Sequence, residues 1–424
     1  MIITATEQST IERALAPTGL HATYQPIVDL TTRGVMAYEA LARWHDRALA
    51  PEDVFRAAAA AGRTAELDWR CRRAAIDGAL LARLDPRTPL FVNVEPRSLT
   101  ADRPAWADDL YERASQRLQI VLELTERSLL ASPAEVMRLV GEARDRGWGV
   151  ALDDVGAVPE SLTMLAFVEP DVIKLDLSLI QQRPSADQGR IMSAVLAHSE
   201  VSGAIILAEG IENERHLEQA LTLGATVGQG WHFGRPGDLI PGAPPAKVLR
   251  IDIQRVPVPA SPFSVVRDSA RLGVGRCDVL LGISAHLEAL GHGADDLVVL
   301  GSFQHADRFT PATRRRYEAL ANRCPLVGAL GVGMPSVPAP GVRGANLHTN
   351  DSLVDEWAVV VVGAHYAGAL LARDLGDDGP RGSRRFAFVV THDRGTVVAA
   401  ARSLMARITS QQPDGATRST SVCD

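Results

Sequence analysis

The segment Val150-Ala-Leu-Asp153-Asp154 is a short apolar run that ends in two consecutive aspartates, and it is the clearest indication of the fold. Similar apolar runs occur at Phe91-Val-Asn-Val94, Ile120-Val-Leu-Glu-Leu124, Val172-Ile-Lys-Leu175 and Ala204-Ile-Ile-Leu-Ala208. Nearly continuous aliphatic and β-branched residues are typical of strands that are buried on both faces of a parallel sheet. Each run therefore predicts one strand of such a sheet.

Segments with helical periodicity lie between these runs. Pro133 begins one helix, whose apolar residues recur at helical spacing until Gly147, and Asn213 begins another that ends at Gly224. Alternation of strands and helices over roughly 220 residues predicts an α/β fold, a (β/α)8 barrel of the TIM type, for which about 250 residues are typical. A doubly wound open sheet is the competing topology, but the glycine-rich turn typical of dinucleotide binding is missing.

The composition is that of an ordinary globular protein. The 424 residues are 46% hydrophobic and 22% charged, which excludes disordered, collagen-like and coiled-coil proteins. The net charge of -7 is spread along the chain without a basic arm, so binding to DNA or RNA is not expected. Widely spaced cysteines, no apparent signal peptide and no apolar span of about 20 residues predict a soluble cytoplasmic protein that does not bind membranes.

Polar side chains that a buried strand should not carry end or interrupt nearly every predicted strand of the first half. They are Glu39, Asn93, Glu123, Asp153, Asp154, Lys174 and Glu209. The carboxyl ends of the strands of a parallel barrel converge on one mouth, where active sites lie. We therefore expect these side chains to be neighbours. The alternative, that each acid only caps a helix, would require the same coincidence at successive strand ends.

Carboxylates gathered in this way would be very costly to bury without cations. Oxygen ligands from aspartate, glutamate and asparagine suit hard divalent metals such as Mg²⁺ or Mn²⁺. The adjacent Asp153 and Asp154 could bridge two ions, an arrangement typical of in-line displacement at phosphorus. Lys174 would then bring positive charge to a phosphate or orient the attacking water.

A series of short motifs gives the first half a family resemblance. Glu39-Ala-Leu41 with Arg43, preceded by Tyr24-Gln-Pro-Ile-Val28, is similar to the EAL signature. The later segments follow in that family's order: Val92-Asn-Val94, Leu122-Glu-Leu-Thr-Glu126, Asp153-Asp154, Ile173-Lys-Leu-Asp176, Ala208-Glu-Gly-Ile-Glu212 and Gly228-Gln-Gly230. Residues 17–245 thus resemble an EAL domain, a barrel phosphodiesterase that linearises cyclic di-GMP to pGpG. The tripeptide alone carries little weight, and the series of segments carries the resemblance.

The resemblance implies a role for each matching residue. Glu39, Asn93, Glu123 and Asp153 would hold one metal ion, and Asp153 would bridge to a second ion held with Asp154 and Glu209. The catalytic set would be Lys174, Glu209, Gln229 and Glu212, with Lys174 and Gln229 positioning the water and the metal shell. Substrate would contact Gln25, Arg43 and Pro236, and Glu126 would anchor the loop after Asp154. Family barrels often pair, so a homodimer is expected.

One segment departs from the family pattern. Active members usually follow the aspartate pair with Phe-Gly-Thr-Gly, whereas this chain has Val155-Gly-Ala-Val-Pro-Glu-Ser161. The threonine and the second glycine are lost, and Pro159 stiffens a loop that is normally mobile. The alternative to an active phosphodiesterase is therefore a weak or inactive EAL domain that serves as a cyclic di-GMP receptor or signalling scaffold.

The remainder of the chain divides by composition. Residues 1–16 form a leader, 246–262 a proline-rich linker, 263–408 a smaller α/β domain and 409–424 a polar tail. The smaller domain resembles the DICT sensory domain, through segments such as Leu300-Gly-Ser-Phe-Gln304 and Thr391-His-Asp-Arg394. It shows no metal spacing or nucleophile–base pair, and the resemblance implies that it binds an unknown ligand or protein and regulates the barrel. The run Arg314-Arg-Arg316 is interpreted as a solvated helix face.

Overall fold

The computed structural model describes residues 4–16, 18–125, 130–157, 161–182, 186–253, 257–291, 297–377 and 380–409. Eight strands of the first half close into a barrel, and seven strands of the second half form a separate sheet. The predicted combination of an α/β barrel and a smaller α/β domain is confirmed.

The barrel strands follow one another around the cylinder in sequence order. They are β1 (Leu20–Asp29), β2 (Val35–Trp44), β3 (Leu90–Asn93), β4 (Ile120–Thr125), β5 (Gly149–Val155), β6 (Val172–Leu175), β7 (Ile205–Ala208) and β8 (Val227–Gly228). Neighbours from β2 to β8 are parallel, as predicted.

Strand β1 differs from a strict (β/α)8 barrel because it runs antiparallel to both β2 and β8. Its connection to β2 is a tight turn, in which the Asp29 carboxylate accepts the backbone N–H groups of Thr31 and Thr32. A turn of this length can join only antiparallel strands, whereas a parallel pair needs a crossover. The turn therefore reverses the first strand without opening the barrel.

Helices surround the barrel. They are α1 (Ala5–Ala14), α2 (Pro51–Ala60), α3 (Thr64–Leu81), α4 (Ala107–Arg117), α5 (Pro133–Asp145), α6 (Ser161–Val168), α7 (Leu177–Gln181), α8 (Ala186–Ser202) and α9 (Glu214–Thr222), with a 3-10 turn at Pro96–Thr100. No helix in the described ranges is both long and apolar enough to cross a bilayer.

An apolar layer fills the part of the barrel that lies below the mouth. Its members are Ile27, Ala37, Phe91, Val121, Ala151, Val172, Leu207 and Val227, and Leu249 packs against them. Side chains along a strand alternate between the two faces, so the residue two positions further along shares the interior face. The polar layer described below follows from this period of two.

The second sheet has the strand order β12-β11-β10-β13-β14-β15-β9. Its strands are β9 (Gly273–Arg276), β10 (Val298–His305), β11 (Leu326–Val332), β12 (Arg343–Asn346), β13 (Glu356–Val362), β14 (Ala367–Asp374) and β15 (Arg385–Thr391). Its helices are α10 (Cys277–Leu290), α11 (Pro311–Ala321) and α12 (Arg394–Met405), with 3-10 turns at Phe263–Val265, Ala306–Arg308 and Arg381–Ser383. Strands β10, β11 and β12 are parallel, and the other pairings are antiparallel.

The two domains share one hydrophobic core, in which α12 packs against α5 and α6 of the barrel. Arg402 on α12 is only 4% exposed. Its Nε and Nη2 donate to the carbonyl oxygens of Phe167 (2.9 Å) and Ala166 (2.8 Å), and Nη2 also lies 2.8 Å from Glu169 Oε1. The last carbonyls of a helix have no partner within the helix, so Arg402 supplies donors to the end of α6.

The stretch expected to be a linker also contributes to the barrel. Leu249 is 4% exposed in the apolar floor, whereas its neighbour Val248 is 41% exposed. Lys247 pairs with Asp29 at the bottom of β1, with 2.5 Å between Nζ and Oδ2. Part of residues 246–262 therefore packs against the floor of the barrel. The domain boundaries stay a prediction.

We expect Leu249→Ala to lower the free energy of unfolding by about 2–4 kcal/mol, because it leaves a cavity in the barrel floor. Val248→Ala, the matched control next to it, should change stability by no more than about 0.5 kcal/mol. Chemical denaturation of the full chain measures both values. Equal effects of the two substitutions would contradict the assignment of Leu249 to the floor.

Candidate active site

The polar side chains predicted from the strand ends lie together at the mouth of the barrel. All of them except Asp154 follow an apolar residue of the floor by two positions along the chain, as Glu123 follows Val121 and Lys174 follows Val172. The same relation holds for Glu39, Asn93, Asp153, Glu209 and Gln229. The alternation of the strands therefore places a polar layer directly above an apolar one.

Lys174 is the centre of this layer. It is 1% exposed, and its Nζ lies 2.6 Å from Glu123 Oε1, 2.9 Å from Glu209 Oε1, 3.1 Å from Asp153 Oδ2 and 3.7 Å from Glu39 Oε2. A single buried ammonium thus meets four carboxylates from four different strand ends. Without it, the acids would repel one another in a region that excludes water.

Side-chain amides complete the contacts of Glu39. Asn93 Nδ2 donates to Glu39 Oε1 at 3.0 Å, and Gln229 Nε2 donates to Glu39 Oε2 at 2.6 Å. Gln229 Nε2 also lies 3.2 Å from Glu209 Oε1. These amides fix the carboxylates in orientations that the strands alone would not impose.

A bulge explains how two consecutive aspartates share the mouth. The pairing of β5 with β6 shifts register between Leu152 and Val155. Asp154 adopts a left-handed backbone with φ of 57°, and its N–H donates to Asp153 Oδ1 at 2.9 Å. Successive residues of a regular strand point to opposite faces, whereas a bulge redirects one of them. Asp154 therefore joins Asp153 at the site.

Burial and mutual repulsion separate the pKa values of the acids. Burial, followed by the charge of Asp153, raises the pKa of Glu209 to about 8. Burial and the charge of Glu39 raise the pKa of Glu123 well above its usual value. Burial acts in the same direction on Glu39, but Lys174 and the neighbouring amides outweigh it, so the pKa of Glu39 is lowered. Burial and repulsion thus disfavour the charged forms of Glu123 and Glu209, and nearby cations would favour them.

The donor set fits divalent cations. Ligand oxygens of Asp153, Asp154 and Glu209 lie within 4.8 Å of one another. Two buried oxygens of the site, Glu123 Oε2 and Gln229 Oε1, have no hydrogen-bond partner in the part of the chain that the structure describes. With five carboxylates and one ammonium, the cluster has a formal charge of about -4, which two divalent cations would balance.

A cavity of about 650 Å³ lies beside the cluster and contains the three predicted substrate residues, Gln25, Arg43 and Pro236. Gln25, one of the lining residues, pairs with Glu39 in the register of β1 and β2, which places this part of the cavity wall beside an acid of the cluster. Sequence analysis missed the rest of the lining: His21, Thr23, Trp44, His45, Arg47, Trp231 and Arg235.

The added residues make this cavity cationic and aromatic. The guanidinium of Arg235 lies 4.3 Å from the ring centroid of Trp231, and the rings of His21 and His45 stack at 4.4 Å. Trp231 is 57% exposed, which is unusual for so large an apolar surface. Its position just after Gly228-Gln-Gly230 was the signal that could have identified it.

One predicted catalytic residue is not among the buried acids of the mouth. Glu212 is exposed on the segment after β7, where its backbone N–H donates to His216 Nδ1 at 3.3 Å. Its catalytic role stays a prediction. Glu126 lies outside the described residues, as do Val158, Pro159 and Glu160 of the altered loop.

Comparison with known proteins agrees with the resemblance. The family model of the EAL domain matches residues 8–236, and that of the "Sensory domain in DIguanylate Cyclases and Two-component system" (DICT) matches residues 266–375. Cyclic di-GMP phosphodiesterase RocR of Pseudomonas aeruginosa is 28% identical over 236 residues, which are 53% of this chain and 59% of that protein. Probable cyclic di-GMP phosphodiesterase PdeB of Escherichia coli is 28% identical over 219 residues, 50% of this chain and 42% of that protein.

The similarity is confined to part of each protein. The chain spans 59% or less of the length of these two curated relatives. Among solved structures, the manganese and cyclic di-GMP complex of Klebsiella pneumoniae BlrP1 is similar with a TM-score of 0.47 and 26% identity, over 53% of this chain and 57% of that one.

We expect Asp153→Asn and Asp154→Asn each to weaken binding of Mn²⁺ to the full chain by about tenfold or more, because each removes a charged oxygen ligand. Isothermal titration calorimetry measures the affinity. Glu218→Gln, an exposed position on α9, is the matched control and should bind Mn²⁺ like the unsubstituted chain. Unchanged affinity in both aspartate variants would exclude a metal site at this mouth.

Proposed function

The chain belongs to the EAL-domain family, whose model spans more than half of it, and on this premise we propose that it hydrolyses cyclic di-GMP to linear pGpG with Mg²⁺ or Mn²⁺. The observation that carries the proposal is the position of the acidic cluster next to a cationic and aromatic cavity. Acids that suit metal ions and a cavity that suits a nucleotide phosphate thus meet at one mouth.

The reaction breaks one P–O3′ bond of the cyclic dinucleotide. A water oxygen bonds to phosphorus, and the 3′ oxygen leaves and takes up a proton. The product carries a 5′-phosphate and a free 3′-hydroxyl. Two divalent ions, when bound, would promote ionisation of the water and neutralise charge on the phosphate.

The residues of the chain would orient these groups. Glu39, Asn93, Glu123, Asp153, Asp154 and Glu209 would hold the ions, as the resemblance implies. Lys174 would keep positive charge beside the water, and Gln229 would fix Glu39 and Glu209 through its amide. The planar guanidinium of Arg43 suits two phosphate oxygens, and the rings of the cavity suit a guanine base.

We expect Glu39→Gln to reduce the rate of pGpG formation by about 100-fold or more, because a charged ligand becomes neutral at the centre of the cluster. The assay follows pGpG by chromatography, with the full chain and excess Mg²⁺ or Mn²⁺. Glu112→Gln, an exposed position on α4, is the control and should keep the rate of the unsubstituted chain.

The same assay separates the alternatives. Binding of cyclic di-GMP without turnover would favour the receptor function, for which the specific observation is the loss of threonine and glycine after Asp154. If the chain neither binds nor hydrolyses cyclic di-GMP, the remaining alternative is a signalling scaffold. The homodimer also stays a prediction.

We further propose that the second domain regulates the barrel through α6. This helix follows the segment that carries Asp153 and Asp154, and Arg402 of the second domain holds its other end. A change in the position of α12 would therefore move α6, the helix that follows the segment with Asp153 and Asp154.

We expect Arg402→Met to lower the turnover number several-fold and to weaken Mn²⁺ binding, because the carbonyls of Phe167 and Ala166 lose their donors. Arg407→Met is a matched control, since Arg407 contacts Asp351 and Ala260 rather than the barrel. Steady-state kinetics of the full chain at several Mn²⁺ concentrations measures both effects. If both variants show the kinetics of the unsubstituted chain, regulation through α6 is wrong.

A further inference from the structure

The second domain contains a cavity of about 400 Å³ that is lined by none of the residues proposed for hydrolysis. Its volume lies within the range of about 300–1,000 Å³ that is typical of small-molecule sites. The lining comes from α10, the beginning of α11 and strands β10, β13 and β15. We call it the α10–α11 cavity.

Aromatic rings form one wall of this cavity. Trp357 and Phe386 contact each other with ring centroids 5.7 Å apart. Phe303 also lines the cavity and is held by Tyr317, whose ring centroid lies 5.4 Å away. Rings that are fixed by their neighbours offer a rigid apolar surface to a planar ligand at little entropic cost.

An acid and an arginine form the polar part. Glu288 is 1% exposed, and its two oxygens accept hydrogen bonds from Ser284 Oγ (3.2 Å) and Arg316 Nε (2.8 Å). Among the described residues, none accepts a hydrogen bond from the terminal amino groups of Arg316. The charge of Glu288 is therefore already paired with Arg316. The terminal amino groups of Arg316 can still donate hydrogen bonds to a ligand.

The surroundings favour an anion over a cation. Arg308 is a second cationic lining residue, and Thr310 and Thr313 come from the start of α11, the positive end of its dipole. Gln304, another lining residue, holds a left-handed backbone with φ of 62°. Strain of this kind in a residue other than glycine is concentrated at binding sites.

We propose that the α10–α11 cavity is the ligand site of the second domain, and that it binds a small planar aromatic acid. The ring system lies against Trp357, Phe386 and Phe303, and the carboxylate accepts hydrogen bonds from Arg316. This inference goes beyond the proposed hydrolysis, because the cavity contains no residue of the barrel. The proposal gives Arg316 a role that its neighbours do not have. Arg314 and Arg315 are exposed, as expected for a solvated helix face.

The probe for this site is 2-naphthoate, with 2-naphthamide as its neutral counterpart. Isothermal titration calorimetry on the full chain should give saturable binding of one 2-naphthoate per chain, at least about tenfold tighter than binding of the amide. Excess cyclic di-GMP should not compete for this site, so one 2-naphthoate per chain should still bind in its presence. No saturable binding, equal affinity for the amide, or displacement by cyclic di-GMP would each overturn the proposal.

Substitutions then locate the bound acid. Arg316→Gln should weaken binding of 2-naphthoate by about tenfold or more, whereas the matched control Arg315→Gln should not. Leu281→Trp, at a half-exposed lining position, should block the cavity without disturbing the Glu288 pair. If Arg316→Gln fails to fold, Leu281→Trp still tests whether 2-naphthoate binds in this cavity. A folded Leu281→Trp chain that binds 2-naphthoate like the unsubstituted chain would overturn the assignment.

Discussion

One buried ammonium contacts four carboxylates at the mouth of the barrel. Lys174 lies within 3.7 Å of an oxygen of Glu39, Glu123, Asp153 and Glu209. Such an acidic cluster is tolerable only where cations compensate it and where the surrounding fold cannot relax away. Lys174 compensates part of the charge, and the remaining negative charge is what makes the mouth suitable for divalent ions. The closed barrel and its apolar floor supply the rigidity.

The sequence was sufficient to identify the polar layer because the information is local. A buried strand cannot carry an acid without a reason, and the period of two along each strand then forces Glu123 and Lys174 to share the interior with the floor residues Val121 and Val172. Asp154 is the exception, since alternation would send it away from Asp153. The bulge between Leu152 and Val155 brings it back, and no local pattern in the sequence announces that shift.

The features that sequence analysis missed depend on contacts between distant segments. The reversal of β1 follows from its pairing on both edges, and the burial of Leu249 follows from the closure of the barrel above it. Trp231 lies far along the chain from His21, yet both line one cavity. Arg316 looked like its neighbours in an arginine run, and only the fold shows that it faces the buried Glu288. Composition and motif spacing do not show which distant residues will be in contact.

The same long-range packing connects the two halves of the chain. Phe386, which lines the α10–α11 cavity, belongs to β15, and the next element is α12 with its buried Arg402. Continuity of packing does not by itself transmit a change. A buried guanidinium, however, cannot lose its acceptors without a large penalty, because no water can replace them. A displacement of α12 must therefore either carry α6 with it or break those hydrogen bonds, and α6 follows the segment that holds Asp153 and Asp154.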